Sequence, residues 1–169
     1  MEKENNLVRT ITRNGVVAAI YLVMTVLFAP LSFGEVQIRF SEALVLLCFF
    51  DRKYTFGLTI GCFIANFFSP FWVIDIWAGT AATFVSCLAI SFCKHLFVAT
   101  LPPVIANGFI VAAMLKFEYE IPYWPAVLSV AIGEAIAVCV FGYFLFMILG
   151  RNPNFQRLLG FNRKTDFVW

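Results

Sequence analysis

The chain has 169 residues, of which 62% are hydrophobic and 13% charged, with a formal net charge of +2. An ordinary soluble domain is about half apolar and a quarter charged, so this composition points to a membrane protein, and so weak a positive charge gives no case for a nucleic-acid partner. Five cysteines (Cys48, Cys62, Cys87, Cys93 and Cys139) all fall in apolar segments without a CxxC pair, which reads as small buried hydrophobes rather than a metal or redox centre.

Charge-free runs organise the chain. No Asp, Glu, Lys or Arg occurs in 14–34, 54–74, 76–93 or 96–115, and Glu134 is the one charge in 121–150. A spanning helix needs about 20 apolar residues to cross roughly 30 Å of hydrocarbon, and an amphipathic soluble helix would show a polar face that these runs lack. The first run predicts a helix at 10–30. It is longer than the apolar region of a signal peptide, and no small-residue cleavage site follows it, so it reads as a retained helix. Gly15 and Ala19 stand four apart on it, a spacing of small residues that lets another helix approach closely, inside the same bundle or from outside.

The next stretch, EVQIRFSEAL (35–44), places Glu35, Gln37, Arg39 and Glu42 within ten residues of an otherwise oily chain. A structural account has Ser41 capping a helix, Glu42 favouring its dipole, and Arg39 pairing with Glu35 or Glu42. A functional account makes the stretch the lid of a binding pocket. The apolar segment behind it, 40–50, covers only about 17 Å as an α-helix. Charge bias decides whether it crosses, because Lys and Arg favour the cytoplasmic side. With six crossings and the N-terminus inside, ten basic residues lie inside and two, Arg39 and Lys116, outside; the better five-crossing arrangement gives eight and four. The reading is therefore one all-α membrane domain over 1–169, with both termini cytoplasmic. Its six helices fall near 10–30, 41–51, 54–68, 75–95, 102–117 and 123–149.

On this map the uncommon polar groups gather toward the outer half: Asn66 at the end of the third helix, Asp75 at the start of the fourth, Asn107 and Glu134 at intermediate depth. Asp75 can serve as a cap, and the two asparagines as interhelical hydrogen-bond partners. Glu134 is the strongest functional candidate, because an ionisable group deep in a span is costly. Trp72, Trp77, Tyr123 and Trp124 fall at the outer boundary as an interfacial belt or as a stacking wall for a flat ring. Carboxylates, amides and rings together suit a planar, donor-rich ligand carrying a cation. No phosphate loop, HExxH or GxSxG occurs, and the one histidine, His95, sits at an inner helix end. The chain therefore reads as a non-enzyme without a cofactor of its own, and energy for uptake must come from partners or an ion gradient.

The segments VQIRFSEAL (36–44), GCFIANFFSP (61–70), IDIWAGTAAT (74–83), LPPVIANG (101–108) and AIGEAIAV (131–138), in that order, resemble the queuosine-precursor transporter family. Its members are substrate-binding S components of energy-coupling factor (ECF) transporters. The resemblance runs from about residue 10 to 150. It implies the six-helix S-component fold in the cell membrane, substrate entry from outside beneath the first loop, and partnership with a transmembrane T component and two ATPase subunits. It implies uptake by toppling of the chain in the bilayer. The family's small-residue AxxxA motif faces the T component; here it is Gly15 and Ala19. The implied ligand is a 7-deazaguanine such as prequeuosine-1, or its relatives prequeuosine-0 and queuine. Glu134 and Asp75 are then expected to meet the base edge or the amine. Gln37, Arg39, Glu42, Asn66 and Asn107 complete or close the site, and Trp72 or Trp77 stacks. The competing readings are an S component for another flat vitamin or purine-like compound, a stand-alone secondary transporter or channel, and a small membrane enzyme.

Overall fold

The computed structural model describes residues 2–32, 38–70, 73 and 75–160. Among these the regular structure is helical: α1 (Glu2–Leu27), α2 (Phe40–Phe50), α3 (Tyr54–Asn66), α4 (Asp75–Phe92), α5 (Leu101–Tyr119), α6 (Tyr123–Leu149) and α7 (Pro153–Leu159). One-turn helices at Ala29–Ser32 and Leu96–Ala99 lead out of α1 and into α5. Among the described residues, α1, α4, α5 with its leading turn, and α6 are long and apolar enough to cross a membrane.

The second segment differs from expectation in its winding. Its first seven residues, Phe40–Leu46, form a 3₁₀ helix, and only Leu47–Phe50 is α-helical. The larger 3₁₀ rise stretches the segment to about 20 Å, more than the α-helical figure but still short of a full hydrocarbon core. Its residues are almost wholly buried, so neighbouring helices cover it. Two further helices depart from α geometry in the opposite sense and are locally underwound. Asp75–Gly79 at the start of α4 and Ala135–Gly142 in the middle of α6 are π-helical.

Close backbone approaches fix the bundle. α1 and α3 meet where a Cβ on Gly57 would lie 2.7 Å from the Asn14 carbonyl oxygen, and one on Gly61 2.9 Å from that of Ala18. Asn14 uses the proximity: its side-chain oxygen accepts from the Gly57 amide at 2.9 Å and ties α1 to the first turn of α3. Gly142, at the end of the π segment, lets α6 cross α2 over Ala43. Between these contacts lies the main core, with Tyr21, Leu46, Phe50, Leu58, Ile90, Val138 and Phe146 buried. A smaller core, Val111, Ala112, Leu115, Ala126 and Val130, joins α5 to α6. The turn between those helices passes through Glu120 at φ 56° and then Pro122, which stops α5 and redirects the chain.

The bundle has two chemically different ends. At one, the docked C-terminal helix α7 starts at Pro153 behind an Asn152 cap and closes at Gly160. Tyr54 Oη donates to the Leu159 carbonyl at 2.5 Å and Arg13 Nη2 to that of Arg157 at 3.3 Å. The opposite end holds Ser32, Arg39, Asn66 and Asp75, and there the polar interior begins.

Candidate functional site

The polar interior is layered. Its outermost layer is built from helix ends. Arg39, just before α2, lies against Asn66, the last residue of α3, and Asp75, the first of α4. Arg39 Nη2 pairs with Asp75 Oδ2 at 2.9 Å, and Nη1 donates to Asn66 Oδ1 at 3.0 Å. Nε reaches back to the Ser32 carbonyl at 3.3 Å, after α1. Asp75 Oδ2 also accepts from Ser69 Oγ at 2.5 Å, and Asn66 Nδ2 donates to the Asp75 carbonyl at 2.5 Å and to Thr80 Oγ1 at 3.3 Å. Arg39, Asn66, Ser69 and Asp75 are all buried. Four chain segments thus converge on one guanidinium, whose planar fork suits simultaneous contact with a carboxylate and an amide. The sequence reading pairs Arg39 with Glu35 or Glu42; among the described residues its salt-bridge partner is Asp75. Glu35, the other partner considered, lies outside the described residues.

One level deeper sits Glu42, in the 3₁₀ turn. Its Oε1 accepts from Tyr21 Oη on α1 and from Thr83 Oγ1 on α4, the latter at 3.1 Å. Thr83 is in turn 3.3 Å from Cys62 Sγ, which accepts from Asn66 Nδ2 at 3.4 Å, so the two layers are linked. Glu42 Oε2 is buried without a hydrogen-bond partner among the described residues. Ser41 does not cap α2. No side-chain cap bond is made there, and Ser41 Oγ lies 2.7 Å from Thr25 Oγ1 on α1.

The third layer joins α5 and α6. Asn107 Nδ2 donates to Glu134 Oε1 at 3.0 Å, and both residues are buried. Glu134 lies within electrostatic range of Glu42 and Arg39. Asp75 opens one π segment and Glu134 immediately precedes the other. π turns widen a helix locally and recur at functional sites.

The structure therefore brings together Arg39, Glu42, Asn66, Asp75, Asn107 and Glu134. It leaves Trp77 out, because that side chain is 69% exposed while its neighbours Ile76 and Ala78 are buried. Gln37 and Trp72 lie outside the described residues. Sequence reasoning missed Tyr21, Ser32, Thr25, Ser69, Gly79 and Thr83. Gly79 packs under the cluster: a Cβ there would lie 3.2 Å from Asn66 Nδ2 and 3.7 Å from Arg39 Nη1. Hydroxyls on apolar runs were the available signal, but Ser and Thr also bond to their own helix, as Ser86 does to the Ala82 carbonyl.

Gly15 and Ala19 face outward. A Cβ on Gly15 would meet no other atom within 4 Å among the described residues, and Ala19 is exposed. Gly15 lines an apolar groove of about 730 Å³ between α1 and α3, with Leu7, Ile11, Ala18, Phe56 and Ile60. Small-residue packing inside the bundle is carried by Gly57 and Gly61 instead.

Comparison with known proteins decides the family. The family model described as QueT transporter matches residues 11–151. The chain belongs to the QueT transporter family. It is 31% identical over 161 residues to the queuosine precursor transporter QueT of Lactococcus lactis subsp. cremoris (strain MG1363), covering 84% of this chain and 92% of that relative. No solved structure gives a significant match. As a QueT-family protein with four long apolar helices among the described residues, it is a membrane protein of the transporter class. The matched region contains all three polar layers.

Proposed function

We propose that this QueT-family chain is the substrate-binding S component of an ECF-type importer in the cell membrane. It captures a 7-deazaguanine from outside and delivers it with a T component and two ATPase subunits that hydrolyse ATP. The observation that carries this reading is the buried, acceptor-rich interior of Glu42, Asp75 and Glu134, tied to the amides of Asn66 and Asn107. A guanine-like edge presents adjacent N–H donors, which a carboxylate accepts in pairs, together with a carbonyl that an amide N–H can read. The Glu134–Asn107 pair offers both functions side by side.

The site end is then the outer face, six segments cross, and both termini are cytoplasmic. The short α2 crosses with neighbours shielding its ends, as its burial allows. Arg39 and Asp75 hold their helix ends together over the interior, Gln37 completes or closes the site, and Trp72 or Trp77 stacks on the ligand. The open Gly15 and Ala19 face is the docking strip for the T component, where small residues permit close helix approach.

The discriminating experiment is reconstitution into proteoliposomes with and without the T component and ATPases. ATP-dependent deazaguanine uptake that needs all the partners supports the assignment. Uptake by this chain alone, driven by an ion gradient, makes it a stand-alone secondary transporter.

A further inference from the structure

The acidic side chains of the interior are not equally occupied. Asp75 is taken by Arg39 at 2.9 Å and Ser69 at 2.5 Å. Glu134 Oε1 holds Asn107 at 3.0 Å. Glu42 is anchored through one oxygen only, by Tyr21 and Thr83, while its other oxygen is buried and has no hydrogen-bond partner among the described residues. The residue is 1% exposed, so bulk water does not serve that oxygen. Leaving a buried acceptor unmet is costly, more so when it can carry charge.

Charge balance points the same way. The interior holds Glu42, Asp75 and Glu134 against one buried cation among the described residues, Arg39, which already faces Asp75. A neutral ligand would leave that imbalance in place, whereas a ligand bearing an ammonium group would offset part of it. Tyr21 and Thr83 come from α1 and α4 and fix the anchored oxygen from two sides, so the second oxygen is held in one direction by the fold.

We infer that Glu42 is the seat of a ligand ammonium group and sets the preference of this protein for a cationic over a neutral 7-deazaguanine. The assignment rests on the deazaguanine reading above and divides the labour within it. Glu134 with Asn107 reads the flat base, Asp75 with Arg39 holds the end closed, and Glu42 reads the arm. The expected preference is for the aminomethyl compound (prequeuosine-1) over its nitrile counterpart (prequeuosine-0), which differs in that arm and carries no positive charge.

The test is titration of both compounds into the purified full chain and into Glu42→Gln, which keeps the side-chain shape and an oxygen for Tyr21 and Thr83 but removes the charge. The wild type should bind the aminomethyl compound about tenfold or more tightly than the nitrile, and E42Q should lose most of that ratio by weakening the amine alone. Equal wild-type affinities overturn the assignment, and that comparison stands even if E42Q fails to fold. A folded E42Q that keeps the full ratio also overturns it. Glu134→Gln serves as the contrast and should weaken both compounds together. If the wild type binds neither compound, the deazaguanine reading falls and this inference with it.

Discussion

Arg39 and Asp75, 36 positions apart in sequence, meet at 2.9 Å in the interior and tie the start of α2 to the start of α4. The pair is buried on both sides, so its energetics are those of an interior ion pair. Removing one partner strands a charge. Arg39→Ala or Asp75→Ala alone should cost about 3–5 kcal/mol of stability, and the double substitution should cost less than the sum of the two. Thermal unfolding in detergent checks this. Additive losses would mean that the two groups do not depend on one another.

Tyr21 supplies a hydroxyl to Glu42 from the middle of an apolar helix. Tyr21→Phe keeps the packing and removes the donor. It should destabilise the chain by about 1–3 kcal/mol, because the carboxylate is then left with Thr83 as its donor for that oxygen. Denaturation midpoints of the two proteins give the comparison, and an unchanged midpoint would show that the hydroxyl is energetically idle.

The two kinds of small residue on α1 and α3 should behave oppositely. Gly61→Ala places a methyl 2.9 Å from the Ala18 carbonyl oxygen and should destabilise the fold by about 1–3 kcal/mol. Gly15→Leu points into open space. It should leave unfolding unchanged while weakening co-purification with a T component. A G15L protein that assembles normally would remove the α1–α3 face from the interface.

The main helices were legible because charge-free runs of membrane length leave few other structures available. Their ends were harder. The predicted 10–30 helix begins at Glu2 and stops at Leu27, since polar residues at the start extend it and a turn at Phe28 separates it from the one-turn helix Ala29–Ser32. The helix Pro153–Leu159 was not predicted; its Asn152-Pro153 start and Gly160 stop were readable signals outside the apolar runs. The buried polar residues Arg39, Glu42, Asn66, Asp75, Asn107 and Glu134 were legible because polar groups are conspicuous in an oily chain. Pairing was not. The partner of Arg39 depends on a π turn at Asp75, and no residue pattern announces one. Composition places Trp77 at a boundary without saying which way its ring points; the side chain is 69% exposed.

Glu134 carries the most specific expectation about the base. Glu134→Ala removes the acceptor held by Asn107 at 3.0 Å and should lower 7-deazaguanine affinity about tenfold or more. Asn107→Ala should lower it in the same direction. Isothermal titration of the folded variants measures both, and wild-type affinity in Glu134→Ala would remove that residue from the site.

The most direct test of the account is calorimetric titration of the detergent-purified chain with prequeuosine-1, beside guanine and riboflavin. Tight binding of the deazaguanine, with little or none of the other two, is the expected result. A demonstrably folded sample that ignores prequeuosine-1, or binds riboflavin better, would contradict it and assign the buried carboxylates to a different ligand.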